Sequence, residues 1–314
     1  MPEPLAHIFN DLSYRIHLYI IKRMRKMRFY ISVIIFNLFA IISYCSEKVG
    51  NSLHYPHANQ IDTIKHDGII RTFKLYIPAS YSDTIKSALV IALHGYGNTA
   101  TEMEEACKLN DKADSEGFII VYPDGFNYSK DANETQYWNA SRKFDRGKKR
   151  IDDVGFISNM IDEICKYYSI DKNRIFATGF SNGASMCYHL GRELSCKIAA
   201  IAPHSGYMIY NPKRVTKCKV PVLHIHGLKD GIAKYNEKWI EYVLCHWESK
   251  DACKQVADTT IQNGDYLIKE WISSGTRLYL SNIGKHDWFN SQNSCIEAND
   301  IIWDFFKEHP KKNE

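Results

Sequence analysis

Short apolar runs recur along the chain between turn residues, and they predict the strands of a buried sheet. Residues 69–77 alternate apolar and polar side chains, which is typical of a strand with one covered face. Residues 88–93 are continuously apolar, as expected of a parallel strand that is buried on both faces. Similar runs occupy 118–122, 174–178, 198–203, 220–225 and 277–281.

Helical spacing separates several of these runs. Apolar residues recur at helical intervals over 154–165, behind the acidic residues Asp152 and Asp153, and this pattern predicts a helix that begins there. Two more helices are predicted, one that ends near Leu194 and one amphipathic helix over 296–306. Strands that alternate with helices favour the α/β class, with a mostly parallel sheet and helices on both faces. No repeat or Pro/Ser-rich linker interrupts the alternation, so a single domain is predicted.

The N-terminal residues 1–45 have a different pattern from the rest of the chain. A basic cluster at 22–28 precedes the mostly apolar segment 29–44, and small or polar residues follow. This order is typical of a secretory signal peptide, and the apolar segment is short for a membrane span. We therefore predict an extension with a signal peptide over 1–45 and an exported domain over 46–314.

Two other interpretations of the N-terminal segment stay open. It could remain uncleaved as a membrane anchor, because Tyr44 is a poor neighbour for cleavage. It could instead belong to a surface lipoprotein in which Cys45 becomes the lipidated first residue. Residues upstream of the basic cluster look superfluous for export, which suggests that translation begins at Met24 or Met27.

The distribution of charge narrows the class of partner. The chain carries 40 Lys and Arg against 36 Asp and Glu, a net charge of +4. Residues 1–45 hold six basic and two acidic side chains, so residues 46–314 carry 34 of each sign. A body without a basic excess argues against nucleic-acid binding. A hydrophobic content of 45% with 13% aromatic residues excludes a disordered chain.

The nine cysteines fit an oxidising compartment. Eight remain without Cys45, and Cys196–Cys218 is one plausible disulfide because each cysteine precedes an apolar strand-like run. Cys187 is expected to be a buried small hydrophobe. No cysteine or histidine cluster in the sequence has the spacing of a zinc site, and no metal is predicted. Three glycosylation sequons are present, at Asn127, Asn133 and Asn139.

The motif Gly179-Phe180-Ser181-Asn182-Gly183 stands between a predicted strand and a predicted helix. In a turn this sharp, side chains two positions either side of the serine would clash, and glycine avoids the clash. The serine hydroxyl would project above the sheet, where the N-terminus of the helix favours negative charge. Ser181 is therefore the predicted nucleophile.

Partners for this serine are expected at later strand ends, the acid before the histidine. Asp230 and His286 each follow a strand-like run and are the predicted acid and base. Two backbone N–H groups are expected to form an oxyanion hole, one at Asn182 and one at Tyr96 after an earlier buried run. His94, at the start of that earlier loop, is predicted to be structural.

Six motifs resemble, in order and spacing, those of the secreted feruloyl esterase and polyhydroxybutyrate depolymerase-like esterases. They are LHGYGNT, VYPDG, IDDVGFI, IDKNRIFATGFSNGASM, VPVLHIHGLKD and IGKHDW, and the likeness covers roughly residues 60–308. The resemblance implies an α/β-hydrolase that cleaves carboxylic esters with Ser181 as nucleophile, Asp230 as acid and His286 as base. The substrates it implies are phenolic or acetyl esters on plant polysaccharides, or short hydroxyalkanoate polyesters.

The chain departs from that family pattern at four positions. Ala184 stands where a second glycine is common, Lys285 replaces the middle residue of Gly-Gly-His, and Phe289 replaces a proline. Trp271 stands where a cysteine is expected, which leaves the usual partner of Cys253 in doubt. None of these changes removes a catalytic group, but they leave the substrate less well defined.

Three aromatic residues in or beside the predicted catalytic loops could stack on a phenolic ring or a sugar, or could only pack. They are Trp138, Tyr235 and Trp288.

The predicted function is hydrolysis of feruloyl or acetyl esters of plant polysaccharides by a secreted serine esterase that needs no cofactor. The alternatives are a hydroxyalkanoate depolymerase, a serine peptidase of the same fold, and a catalytically inactive binding protein that keeps the hydrolase body.

Overall fold

The structure is a computed structural model that describes residues 60–127, 135–140, 151–209, 216–247 and 256–312. The strands are β1 (Gln60–His66), β2 (Ile69–Tyr76), β3 (Ser87–Leu93), β4 (Ile119–Pro123), β5 (Phe126–Asn127), β6 (Gln136–Tyr137), β7 (Ile170–Phe180), β8 (Ala200–His204), β9 (Val222–Gly227), β10 (Thr259–Gln262), β11 (Tyr266–Trp271) and β12 (Thr276–Ser281). The helices are α1 (Ala100–Cys107), α2 (Leu109–Glu116), α3 (Asp153–Tyr167), α4 (Asn182–Glu193), α5 (Glu237–His246), α6 (Ser291–Ser294) and α7 (Ala298–Glu308). The predicted extension over 1–45 lies outside these residues.

Ten of the strands form one sheet, in the order β1-β2-β4-β3-β7-β8-β9-β12-β11-β10. The six neighbouring strands from β4 to β12 run parallel. Two further strands continue the sheet antiparallel at each edge. Because the parallel strands share one direction, the loops that follow β3, β7, β9 and β12 converge at one edge of the sheet. The predicted mostly parallel sheet is confirmed.

Helices cover both faces of the sheet, and strand β3 shows how. Leu89 and Ile91 pack in one core with α3, α4 and α5, whereas Val90 and Ala92 pack in a second core with α1, α2 and α7. Successive strand side chains point to opposite faces, so a strand between two cores is apolar at every position. This explains the uninterrupted apolar run that predicted the strand.

The sequence pattern identified the centre of the fold and missed its periphery. All seven predicted strands are present, as β2, β3, β4, β7, β8, β9 and β12, and the three predicted helices are α3, α4 and α7. Unpredicted elements include the edge hairpin β10–β11, whose residues are mostly half-buried or exposed. Helices α1 and α2 were missed because their sequences are largely polar and bury only two or three side chains each.

A buried ion pair ties the sheet to the chain segment that contains Asn139. Nη2 of Arg71 on β2 lies 2.8 Å from Oδ1 of Asp153 at the start of α3, and the two side chains are 3% and 0% exposed. Nη2 of Arg71 also donates to the carbonyl of Asp124 at 2.9 Å. Oδ2 of Asp153 accepts the backbone N–H of Asn139 at 2.7 Å. The guanidinium carbon lies 4.1 Å from the centroid of the Phe156 ring.

The predicted disulfide Cys196–Cys218 is present, with the two Cα atoms 5.4 Å apart. Cys187 is buried and free, as predicted, and burial raises the pKa of its thiol well above the ordinary value. Cys107, Cys165 and Cys295 are free as well. Among the described residues, no helix combines the length and the apolar character needed to span a bilayer.

Asn139, the third sequon asparagine, lies inside the protein. Its residue is 4% exposed, and its Nδ2 donates to the carbonyl of Ile151 at 3.1 Å. Asn127 belongs to the short strand β5 and is half-buried, while Asn133 lies outside the described residues. The folded protein therefore has no room for a glycan on Asn139.

The ion pair between Arg71 and Asp153 generates a stability prediction. Substitution Arg71→Leu leaves a buried carboxylate without its cation, which should lower the free energy of unfolding by about 3–5 kcal/mol. Urea denaturation followed by tryptophan fluorescence measures the change. The double variant Arg71→Leu/Asp153→Leu should recover most of the loss, because it removes both charges together.

The matched control is Lys166→Gln, which breaks the exposed pair that Lys166 forms with Glu163. The urea midpoint of this control should stay at the wild-type value, since exposed pairs contribute little. Equal shifts for Arg71→Leu and Lys166→Gln would contradict a special role for the buried pair.

Candidate active site

Ser181 sits at the turn from β7 into α4 in a backbone conformation that L residues rarely adopt, with φ 54° and ψ −113°. The two motif glycines explain how the turn closes. A Cβ on Gly183 would lie 2.3 Å from the carbonyl oxygen of Leu93, and one on Gly179 would lie 2.7 Å from the carbonyl of Gly183. Real Cβ atoms do not approach this closely, so both positions require glycine.

The side chains of Ser181, His286 and Asp230 form one hydrogen-bonded line. Nε2 of His286 lies 3.1 Å from Oγ of Ser181, and Nδ1 of His286 lies 2.7 Å from Oδ2 of Asp230. An ionised carboxylate only accepts, so Nδ1 carries the proton and Nε2 is free to accept from the serine hydroxyl. Along the sequence, His286 lies 105 positions after Ser181 and 56 positions after Asp230, so the fold brings distant residues together.

Asp230 is held by its own loop. Its side chain is fully buried, and Oδ1 accepts the backbone N–H groups of Ile232 at 2.9 Å and Ala233 at 2.7 Å. These two bonds leave Oδ2 directed at His286.

Both predicted oxyanion donors lie in suitable elements. Asn182 is the first residue of α4, so its backbone N–H has no partner within the helix. Tyr96 follows β3 in the loop that passes the nucleophile, where a Cβ on Gly95 would lie 3.5 Å from the Cβ of Ser181. The Tyr96 side chain is 56% exposed, and its ring stacks on Tyr137 with centroids 5.4 Å apart.

His94 supports this loop through both ring nitrogens. Nε2 accepts the backbone N–H of Gly125 at 2.8 Å, and Nδ1 lies 2.7 Å from the carbonyl of Gly95. Burial lowers the pKa of His94, so the neutral ring can accept at one nitrogen and donate at the other. The structural role predicted for His94 agrees with this geometry.

Trp138 does not offer its ring to a substrate in this structure, which corrects the stacking role considered for it. The residue is fully buried, and its indole N–H donates to the carbonyl of His94 at 2.9 Å. Its backbone N–H donates to Oδ1 of Asn182 at 2.7 Å. Trp138 therefore packs against the loop that follows β3 and links it to Asn182, the residue after Ser181.

The other two candidate aromatics lie in different surroundings. Trp288 is 9% exposed, donates to Oδ1 of Asn299 at 2.9 Å, and lines a cavity of about 510 Å³ that no triad residue lines. Tyr235 is half-buried, with its ring centroid 5.6 Å from that of His226 and its hydroxyl 3.4 Å from Oε1 of Glu241. Tyr235 is thus the member of the three that adjoins the acid loop.

Sequence reasoning missed several buried polar residues around the triad. His224 and His226 alternate along β9 and so share one face of the sheet, a pattern visible in the run VLHIHG. A third buried histidine, His204, lies on the neighbouring strand β8. Its ring centroid is 4.4 Å from that of Phe289 and 4.8 Å from that of Trp288. Neither ring nitrogen of His204 has a hydrogen-bond partner among the described residues. Burial lowers the pKa of all three imidazoles.

One group of described residues could hold a cation. Nε2 of His66 lies 3.2 Å from Oδ2 of Asp152 and 3.9 Å from Oδ2 of Asp67. Both carboxylates are exposed, and Asp152 also caps helix α3 through the N–H of Gly155. The hydrogen bond and the cap account for this arrangement without an ion.

Comparison with known proteins adds to this geometry. The model of a family described as phospholipase/carboxylesterase matches residues 80–272. A bifunctional acetylxylan esterase/xylanase from Neocallimastix patriciarum is 28% identical over 254 residues, which cover 79% of this chain and 34% of that protein. Feruloyl esterase B from Piromyces equi is 29% identical over 163 residues, which cover 51% and 29% of the respective chains. The chain thus spans about a third of the length of these curated relatives.

Two solved structures share the fold. An acetyl xylan esterase from Aspergillus awamori has a TM-score of 0.60 at 16% identity, over 79% of this chain and 99% of that chain. A thermostable esterase has a TM-score of 0.56 at 16% identity, over 81% and 63%. At such identities the likeness concerns the fold alone, and it confirms the predicted α/β-hydrolase fold.

The buried histidines predict a fall in stability at mildly acidic pH. The folded pKa values of His94, His204, His224 and His226 lie below the unfolded value of about 6.5, so below that pH only the unfolded chain takes up these protons. The contribution of these four histidines to the free energy of unfolding is complete above pH ~6.5. As the pH falls below that value, each histidine loses about 1.4 kcal/mol of its contribution per pH unit. Urea denaturation between pH 5 and 7.5 measures this slope.

The variant His204→Leu removes one of the four histidines that cause this pH dependence. The leucine cannot titrate, so the slope between pH 5 and 6.5 should fall by about a quarter relative to the wild type. A slope that is unchanged in this variant would show that His204 takes up its proton equally in the folded and unfolded chains.

Proposed function

Since the chain belongs to the phospholipase/carboxylesterase family, we propose that it hydrolyses carboxylic esters through an acyl-enzyme formed on Ser181. The hydrogen-bonded line from Ser181 through His286 to Asp230 is the observation that carries this proposal. An inactive binding protein would have no need to keep a strained serine in contact with a correctly oriented imidazole. The esterase names of the relatives support the same class of reaction.

In the first step Nε2 of His286 accepts the proton of the Ser181 hydroxyl while Oγ attacks the ester carbonyl carbon. The carbonyl electron pair moves to oxygen, and the backbone N–H groups of Asn182 and Tyr96 stabilise the resulting oxyanion. Such a donor contributes about 3–4 kcal/mol to the transition state in measured enzymes. Collapse of the intermediate expels the alcohol, which takes the proton from His286.

Water completes the reaction. His286 removes one proton from a water molecule, whose oxygen attacks the acyl carbon bound to Ser181. The second tetrahedral intermediate breaks the bond between acyl carbon and serine Oγ, and His286 returns the proton to Ser181. Asp230 keeps the proton of the imidazole on Nδ1 throughout and stabilises the transient imidazolium.

Feruloyl or acetyl esters of plant polysaccharides are the proposed substrates. The relatives named as acetylxylan esterase and feruloyl esterase support this class. The exposed Tyr96, in the loop that passes Ser181, and the half-buried Tyr235, next to His226, offer aromatic surface. The same three catalytic residues would also serve a hydroxyalkanoate depolymerase. Substrate comparison therefore separates the two.

We also propose that the protein is exported. The basic cluster and apolar segment within residues 1–45 support a signal peptide, and the disulfide Cys196–Cys218 suits an oxidising compartment. Cleavage near Cys45 would release the domain, whereas lipidation of Cys45 would retain it at a membrane surface.

The catalytic prediction concerns Ser181→Ala. Turnover of p-nitrophenyl acetate, methyl ferulate and acetylated xylan should fall by at least about a thousandfold, because the nucleophile is lost. A fluorophosphonate probe should label the wild type and not the variant. The control Ser115→Ala, on the exposed surface of α2, should be labelled and active.

Two results would contradict this assignment. Unchanged turnover in Ser181→Ala would place the nucleophile elsewhere. Release of hydroxybutyrate from polymer granules at a higher kcat/KM than release of ferulate or acetate would replace the polysaccharide substrate with the polyester, while the mechanism would stand.

The export prediction is checked on protein produced from the full sequence in a secreting host. The mature chain should be recovered outside the cytoplasm, and N-terminal sequencing should place its first residue at or shortly after position 45. Recovery in a detergent-extracted fraction with a blocked Cys45 would favour the lipoprotein. An intact N-terminus in the cytoplasm would overturn export.

A further inference from the structure

Two buried histidines of β9 are not used by the proposed mechanism, yet they lead to the loop that holds the catalytic acid. Nδ1 of His224 lies 2.7 Å from the hydroxyl of Tyr188 on α4, and its Nε2 lies 3.1 Å from Nδ1 of His226. Nε2 of His226 lies 2.6 Å from the carbonyl oxygen of Ala233. Four residues thus form a continuous chain of polar contacts from the helix after the nucleophile to the acid loop.

The carbonyl of Ala233 fixes the direction of this chain. A carbonyl only accepts, so Nε2 of His226 must carry the proton, and in the neutral ring Nδ1 then accepts. His224 therefore donates from Nε2 and accepts at Nδ1, which leaves the hydroxyl of Tyr188 as the donor at the far end. This single arrangement satisfies the hydroxyl of Tyr188, the ring nitrogens of His224 and His226, and the carbonyl of Ala233, as buried polar networks require.

The backbone of Ala233 is held at both its carbonyl and its N–H. The carbonyl accepts from His226, while the N–H donates to Oδ1 of Asp230 at 2.7 Å. The loop is anchored again where the N–H of Asp230 donates to the carbonyl of Gly227 at 3.2 Å. Together with the N–H of Ile232, which donates to the same oxygen, Ala233 therefore occupies Oδ1 of Asp230 and leaves Oδ2 to face His286.

We propose that His226 is a positioning residue, which fixes the backbone of Ala233 and so keeps the N–H of Ala233 on Oδ1 of Asp230 and Oδ2 directed at His286. The proposal rests on the proposed esterase function of the triad. His224 and Tyr188 serve the same end, because they keep Nδ1 of His226 an acceptor and its Nε2 a donor. His226 does not touch the reacting atoms.

The charged and titratable groups around His226 come from several elements. Oδ2 of Asp230 lies 3.7 Å from Nε2 of His226, and His286 lies close enough to disfavour its protonation. His224 faces it along β9, and the rings of Tyr207 and Tyr235 lie 5.9 and 5.6 Å away. Burial is the largest cause that lowers the pKa of His226, so the ring is neutral at neutral pH. Protonation of His226 would place its Nδ1–H opposite the Nε2–H of His224 and break the hydrogen-bonded chain.

The test compares His226→Leu with His226→Gln in the full-length enzyme. Leucine removes the donor to Ala233, whereas the amide of glutamine can still donate to it. For the leucine variant we expect kcat to fall about tenfold or more at unchanged KM, as loss of a buried positioning bond implies. The glutamine variant should retain most of kcat, because its amide keeps the bond to the carbonyl of Ala233.

A merely structural role would lower the stability and the kcat of both variants equally, without rescue by glutamine, and that result would overturn the proposal. Wild-type kcat in His226→Leu would overturn it as well. If His226→Leu fails to fold, Tyr188→Phe decides, since it removes the far donor without changing shape. We expect a loss of about threefold in kcat at unchanged KM. A wild-type kcat in this variant would refute the positioning role of the hydrogen-bonded chain.

A second measurement does not depend on activity. Nitrogen-15 correlation spectra of the histidine rings should show His226 with the proton on Nε2 and a bare Nδ1, and the same for His224. The opposite tautomer at His226 would overturn the proposal even in an active enzyme. Correct tautomers in a protein that hydrolyses no ester would instead disprove the proposed function and leave the structural chain intact.

Discussion

The backbone of Ser181 is the constraint on which the rest of the site depends. A non-glycine residue at positive φ with this ψ costs about 1–3 kcal/mol and persists only where its surroundings over-determine it. Here the N–H of Ser181 donates to the carbonyl of His204 at 2.9 Å, which ties the end of β7 to the end of β8. Gly206 passes so close that a Cβ on it would lie 2.4 Å from the carbonyl oxygen of Ser181. The sheet and three glycines together hold the strained serine in place.

The surroundings of the triad combine apolar packing with neutral polar groups. His94, His204 and His226 are buried near the hydrogen-bonded line of Ser181, His286 and Asp230 and are uncharged at neutral pH, so they add dipoles without adding charge. A low-dielectric environment strengthens the interaction of Asp230 with His286, and a nearby buried cation would weaken it. The same arrangement makes the folded state sensitive to acid, because burial lowers the pKa of each of these rings and so disfavours its protonation in the folded protein.

Sequence reasoning succeeded where one rule decided the outcome. Strands buried on both faces gave continuous apolar runs, and the glycines around Ser181 indicated a turn that only a strand-to-helix junction uses. Chain order and strand ends placed Asp230 and His286 beside Ser181, and the structure shows that contact. The edge hairpin β10–β11 gave no such signal, because its side chains are half-exposed and its register is decided by pairing with β12. The role of Trp138 could not be foreseen either, since its burial depends on Asn182 and on the segment held by Asp153.

His224 and His226 on β9 show a further limit of sequence reasoning. The alternation in VLHIHG predicts that His224 and His226 share a face, but nothing in the sequence places the hydroxyl of Tyr188 or the carbonyl of Ala233 beside them. Those contacts arise from the packing of α4 on the sheet and from the return of the acid loop. Polar networks in a core are thus a property of the tertiary structure, whereas the presence of their members is a property of the sequence.

The burial of Asn139 has a consequence for how the protein can be made. A sequon asparagine is a possible acceptor for an N-linked glycan, and one that is enclosed in the finished protein is accessible only before the chain folds. A sugar on Asn139 would displace the side chain from the carbonyl of Ile151 and expose the N–H that Asp153 accepts. Chains modified there would be trapped short of the native state. Bacterial secretion avoids this competition between modification and folding, and a yeast or fungal host does not.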